Sequence, residues 1–186
     1  DLDWFHVHNA FRSPGKLEAE ELARRKAEVY QKRYEGFRSG IKIQAKFINA
    51  ESAEDLGGAT FAFVCVDKGS SRAGIFELLI NLNIPFIDVG MGLNRDSGPI
   101  NGMIRATFYD REKAKDVLAK QLSPVTDAPD DVYQNNIQIS ELNALNACVA
   151  VIKYKQLRGF YVDDNAYYHM LLSLNDFHLA GQSNEE

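Results

Sequence analysis

Three features of the 186-residue chain predict an α/β fold with a mostly parallel sheet and helices on both faces. The run Thr60–Val66 is continuously apolar and stops at Asp67, the pattern of a central strand covered on both sides. A helical stretch, 71–82, follows it, and a second short apolar strand, 84–90, follows that. Strand, helix, strand in this rhythm makes a βαβ unit.

The elements follow in order. Asp1-Leu2-Asp3-Trp4-Phe5 reads as the end of a strand, and a chain that opens this abruptly, without Met or leader, is expected to be a piece of a longer one. Ser13-Pro14-Gly15 then marks a turn into a helix over 17–37, in which Leu17, Leu22, Val29, Tyr30 and Tyr34 recur near helical spacing. Gly40 is its stop, and Ile41, Ile43, Ala45 and Phe47 alternate with polar residues as in a strand over 41–48. Beyond the βαβ unit the pattern is mixed. Residues 98–109 alternate weakly, as in an antiparallel edge strand, 110–122 is a short amphipathic helix, and 123–131 is a loop with Pro124 and Pro129. Ser140-Glu141 opens a long helix to Leu157, with Leu142, Leu145, Val149 and Ile152 inward and Ala144, Ala147 and Ala150 allowing close packing. Two terminal strands flank Asn175-Asp176, and 182–186 is expected to be a frayed tail. The whole is expected to be a single domain.

Composition narrows the function. The chain is 45% hydrophobic and 25% charged, which is ordinary globular usage and excludes a disordered or fibrous protein. A net charge of −5 excludes a globally basic nucleic-acid footprint, so no direct nucleic-acid partner is expected. No run reaches the roughly 18 apolar residues of a membrane span. Cys65 and Cys148 form no CxxC pair and each sits in an apolar run, so both are expected in the core and a reducing, cytoplasmic setting is the expectation. The histidines have no metal-ligand spacing.

Several residues could carry chemistry. Asp67 follows the most apolar strand, where α/β sheets bind ligands; it can hold Mg²⁺, or it can simply cap the next helix. Arg12, in the loop after the first strand, can clamp phosphates or be an ordinary surface charge. Lys26 lies among Arg24, Arg25 and Lys32 and by composition belongs to a solvated face. Asp1 and Asp3 stand at a strand end, where an acid can take ribose hydroxyls or form a turn. Gly90-Met91-Gly92 is a lone GxG and supports no dinucleotide fingerprint.

Taken in order, these residues resemble the ThiF/MoeB/HesA family, the adenylyltransferase fold shared with ubiquitin-activating enzymes. That family's D-x-D-x-V-x-x-S-N-L-x-R-Q pattern is matched by Asp1, Asp3, Asn9 and Arg12 in register. A lysine in a K-A context on the next helix is matched by Lys26-Ala27, and a strand ending D-N-x-x-x-R by Asp67 and Arg72. His8 replaces Ser, Ser13 replaces Gln and Lys68 replaces Asn. The resemblance implies a Rossmann-like fold with a mixed C-terminal portion and ATP-dependent activation of the C-terminal carboxylate of a ubiquitin-like or sulfur-carrier protein. It implies that Asp1, Asp3, Asn9, Arg12 and Lys26 bind ATP, Asp1 at the ribose and Asn9, Arg12 and Lys26 at the phosphates. Arg12, Lys26 and Asp67 would be catalytic and Asp67 would hold Mg²⁺, with Arg72 bracing the Asp67 loop. It further implies a homodimer, and a Gly-rich phosphate loop ahead of Asp1, without which this piece alone is expected to be inactive. Two other readings remain: a non-catalytic dimer partner that keeps the fold, and a dinucleotide-binding oxidoreductase, which calls for a G-x-G-x-x-G.

Overall fold

The computed structural model describes residues 2–10, 12–13, 15–94, 98–127 and 139–183. The chain divides into two compact units, Asp1–Ile48 with Gln138–Glu141, and Asn49–Ile137 with Leu142–Glu186. Each unit is described by itself.

In the first unit the expected strand ending at Phe5 is reduced to one antiparallel bridge, Trp4 to Arg25. Around it the Phe5 N–H donates to the Arg24 carbonyl and the Lys26 N–H to the Asp3 carbonyl, each at 2.8 Å. A short helix α1 (Val7–Ala10) comes next. The expected helix over 17–37 is broken. Ala19–Glu21 is a single 3-10 turn, Ala23 has φ of 61°, and only Lys26–Glu35 forms α2. The break turns residues 24–26 back onto 3–5, which a continuous helix could not do. Inside the unit Phe5 is fully buried, its ring edge-on to Tyr30 at 6.0 Å, with the Arg33 guanidinium over it. Arg33 also binds Glu21 through two bonds of 2.7 and 2.6 Å, and these hold the Glu21 carboxyl down to about 2. Residues 41–48 form no strand; alternation alone does not make one when the backbone groups find no ladder partner.

The second unit carries the sheet. Its strands are β1 (Ala62–Val64), β2 (Phe86–Asn94), β3 (Asn101–Tyr109), β4 (His169–Ser173) and β5 (Leu179–Gln182), in that spatial order. The fold is α/β, as expected, but the sheet is mixed rather than mostly parallel. Only β1 and β2 run parallel, across helix α3 (Gly69–Asn81); β2·β3, β3·β4 and β4·β5 are antiparallel. For β2·β3 and β4·β5 the physical cause is connection length. A parallel return needs a crossover of a dozen or more residues, whereas six residues separate β2 from β3 and five separate β4 from β5. The expected edge strand β3 instead lies between β2 and β4.

Helices cover both faces. On one, α3 and α4 (Ala114–Ala119) bury Val64, Phe76, Leu79, Phe86, Tyr109 and Val117, with Phe86 and Tyr109 stacked at 4.6 Å. On the other, α5 (Ser140–Leu157) packs Ala150 over Ile87, Ala106 and Met170. Helix α5 keeps the expected bounds and part of the expected face, since Val149 packs on this cluster and Leu142 and Leu145 are half-buried. Ala150 and Lys153 are buried, Ile152 is 47% exposed, and Ala144 and Ala147 are exposed. A helix apolar nearly all round does not state which side its sheet will take. Cys65 and Cys148 are both free and exposed, not in the core. Gln182, placed in the tail by sequence, belongs to β5 opposite His169. Of the expected loop 123–131, residues 128–131 lie outside the described residues, as do 184–186 of the tail. Among the described residues no helix is long and apolar enough to cross a membrane.

Candidate functional site

Four of the sequence-predicted site residues, Asp3, Asn9, Arg12 and Lys26, belong to the first unit. Lys26 opens α2, and the bridge at Trp4 brings its start alongside Asp3. Its Nζ lies 2.6 Å from Asp3 Oδ2, while its backbone N–H meets the Asp3 carbonyl, so two bonds join residues 23 apart. The Lys26 hydrogen bond holds the Asp3 carboxyl below its usual range, and the Lys26 and Arg12 charges add to this. Lys26 is thus not the solvated-face lysine its basic neighbours suggest, since its side chain is only 15% exposed. Arg12 is half-buried, and its backbone N–H donates to the Asn9 carbonyl.

Asn9 is 1% exposed. Its Oδ1 accepts the His6 N–H at 2.8 Å, yet its Nδ2 has no hydrogen-bond partner among the described residues. An orphaned amide donor at that depth is costly and marks a group able to serve a ligand acceptor. Ser13, which stands where the resemblance has Gln, is buried and bonded to Tyr30 Oη at 2.5 Å. That position is therefore taken up inside the unit. Asp1 lies outside the described residues. The shallow apolar cleft between Trp4, Phe5, His6, Val7, Leu22 and Ala23 contains none of the predicted site residues.

Asp67 belongs to the second unit, three residues past β1. It is exposed, and its Oδ1 accepts the Lys68 N–H at 3.1 Å. It does not cap α3. The N-cap position is Lys68, and the Ser70 N–H is taken at 2.9 Å by Asp127, whose carboxyl is held low by that bond. The capping role available to Asp67 from sequence is thus filled by a residue 60 positions further along. Thr126 reaches the same helix start, close enough that a Cβ on Gly69 would lie 2.1 Å from its carbonyl oxygen.

Arg72 braces this loop, as expected. Its Nη2 donates to the Val66 carbonyl, its Nη1 to the Pro124 carbonyl at 2.8 Å and its Nε to Asp88 Oδ1 at 2.9 Å. Asp88 is fully buried on β2, and its Oδ2 lies 2.6 Å from Arg105 Nη2. Arg105 Nη1 also donates to Thr107 and Ser123, Tyr109 Oη bonds Ser123, and Thr107 Oγ1 meets His169 Nδ1 at 2.9 Å. Burial, and after it the Arg105 charge, keep the His169 pKa below its ordinary value.

Sequence reasoning missed most of this network. One signal was available: Asp88 is an acid inside an apolar strand, and a buried carboxylate demands cationic partners. Gly90 faces Arg105 across the ladder, and a Cβ on it would stand 2.6 Å from Arg105 Nη2. A Cβ on Gly102 would lie 2.2 Å from the Gly92 carbonyl oxygen. Gly90 and Gly102 serve close packing within the sheet, and Gly90-Met91-Gly92 carries no phosphate loop because it lies inside β2, paired with Arg105, Ile104 and Met103 of β3.

No three His, Cys, Asp or Glu side chains among the described residues converge as a metal cage. A single exposed carboxylate such as Asp67 suits Mg²⁺, which keeps waters and arrives on substrate phosphates.

The class defined by these observations is an α/β protein with an open five-stranded mixed sheet. No protein-family model and no curated protein matches the chain. Among solved structures, the crystal structure of selenomethionine PaaA is similar, with a TM-score of 0.62 and 14% identity over 98% of this chain. The match spans 62% of the PaaA chain, and at that identity it shows the fold alone.

Proposed function

We propose that the chain is the nucleotide-binding portion of a cytoplasmic ATP-dependent adenylyltransferase that activates the C-terminal carboxylate of a ubiquitin-like or sulfur-carrier protein. One observation carries this reading. The motif residues Asp3, Asn9, Arg12 and Lys26 share one compact unit, in which Lys26 is held by Asp3 and Asn9 keeps a buried amide donor without a partner among the described residues. The transfer of the α3 cap from Asp67 to Asp127 gives further support, because it leaves the Asp67 carboxylate exposed beyond a parallel strand.

In the reaction a carboxylate oxygen of the carrier attacks the α-phosphorus of ATP. The bond from that phosphorus to the bridging oxygen breaks, and pyrophosphate leaves with the electron pair. Arg12 and Lys26 offset the charge that builds on the phosphate oxygens, and Asn9 donates through Nδ2. By the resemblance, Asp67 would hold Mg²⁺, and the ion would supply charge neutralisation at the phosphates. The pair of copies expected of this family remains part of the proposal.

ATP–pyrophosphate exchange with the intact protein tests it, using Mg²⁺ and carriers ending in Gly-Gly, with and without Asp67→Ala. Exchange that requires the carrier and falls about 10²-fold or more in the variant is expected, the scale of losing one charge-stabilising group. Absence of exchange with every carrier, together with no ATP binding by calorimetry, refutes it and leaves the non-catalytic dimer partner.

A further inference from the structure

We propose that Asp3 is a positioning residue for Lys26: its carboxylate fixes the ammonium so that the remaining N–H donors are presented to the phosphates of a nucleoside triphosphate. This rests on the phosphate-binding reading of Lys26 given above, and it moves Asp3 from contact with the nucleotide to action through the lysine.

The geometry is specific. The side-chain bond of 2.6 Å is reinforced by the backbone bond between the same two residues, so neither can shift without the other. The lysine side chain is 15% exposed and the aspartate 69%, so the stem is enclosed while the carboxylate faces water. A solute reaches the pair from the Asp3 side. An ammonium has three donors, and the Asp3 oxygen occupies one of them. Without that anchor a four-carbon stem regains the rotamer freedom of a long side chain, which an incoming phosphate must then remove.

Two effects of Asp3 oppose each other, and this makes the proposal decidable. Its negative charge repels a phosphate, so if charge alone mattered, Asp3→Asn would bind nucleotide more tightly. If orientation matters more, the same variant binds more weakly although the site has become more positive.

Calorimetric titration of the intact protein with MgATP distinguishes these, using wild type, Asp3→Asn, Asp3→Glu, Lys26→Met and the Asp3→Asn/Lys26→Met double variant. Asp3→Asn is expected to weaken binding about 10-fold, within the rotamer freedom it releases. Asp3→Glu recovers part of that loss. In the Lys26→Met background the Asp3 change costs less than about 2-fold, because the residue it acts through is gone. Tighter or unchanged binding by Asp3→Asn overturns the proposal, and so does an equal loss in the Lys26→Met background, which would place Asp3 directly on the ligand. Either result leaves the wild-type reading standing. Wild-type protein that does not bind MgATP overturns the reading of Lys26 and this proposal together. Asp3 is itself exposed and its backbone bond to Lys26 is kept in every variant, so unchanged circular dichroism is expected for all Asp3 variants.

Discussion

Replacing Asp88 by Asn removes the β2 carboxylate that faces both Arg72 of α3 and Arg105 of β3. The carboxylate is fully buried, and its two oxygens stand 2.9 Å from Arg72 Nε and 2.6 Å from Arg105 Nη2. After the substitution both guanidiniums keep neutral acceptors: the Val66 and Pro124 carbonyls for Arg72, Thr107 and Ser123 for Arg105. Among the described residues neither keeps a counter-charge. Breaking a buried ion pair from one side costs about 3–5 kcal/mol, because it strands a desolvated charge. Here two cations are stranded but both stay hydrogen-bonded, so a loss of about 3–5 kcal/mol is expected. At about 2–4 °C per kcal/mol for a chain of this length, the lower end lowers the melting temperature by about 6–12 °C. Urea unfolding followed by circular dichroism measures the loss, and amide exchange along β2 and β3 assigns it to the second unit. Ser123→Ala, which removes a neutral partner of Arg105 and Tyr109, is the control, at about 1–2 kcal/mol. A loss below about 1 kcal/mol for Asp88→Asn is what an exposed pair gives, and it would refute the view of this network as the lock between β2, α3 and the loop at Pro124.

Other outcomes follow from the same geometry. His169 is held below its ordinary value of 6.5, so the unfolded chain takes up a proton there before the folded one does. Its contribution is complete above pH 6.5 and is lost as pH falls below that value towards the folded pKa; the urea midpoint should fall over that window, and His169→Gln should flatten the slope. An unchanged slope in the variant would assign the pH dependence to other groups. Gly69→Ala places a Cβ 2.1 Å from a backbone oxygen of Thr126, so the 123–127 loop must move. A loss of about 1–3 kcal/mol is expected in chemical denaturation. Gly92→Ala, with nothing within 4 Å of the new carbon, should stay within about 0.5 kcal/mol.

The sequence by itself determined the α/β class, an apolar strand within 60–66, and the helices that became α3 and α5. Those are local signals, runs of apolar residues and helical periodicity, while the bracing role of Arg72 came with the family resemblance. Tertiary structure alone decided the rest. Residues 41–48 alternate as a strand but form none, since a strand exists only through a partner's hydrogen bonds. The helix expected over 17–37 gave up its first half so that residues 24–26 could meet 3–5, a choice made by contacts far apart in sequence. The same long-range pairing drew Lys26 onto Asp3, where composition had placed it in a solvated face. Asp127 took the cap that adjacency offered to Asp67, and Asp88 drew in arginines from α3 and β3. Charge and hydrogen-bond satisfaction are settled across space rather than along the chain, so a residue's type shows what it must find, and only the fold shows where it finds it.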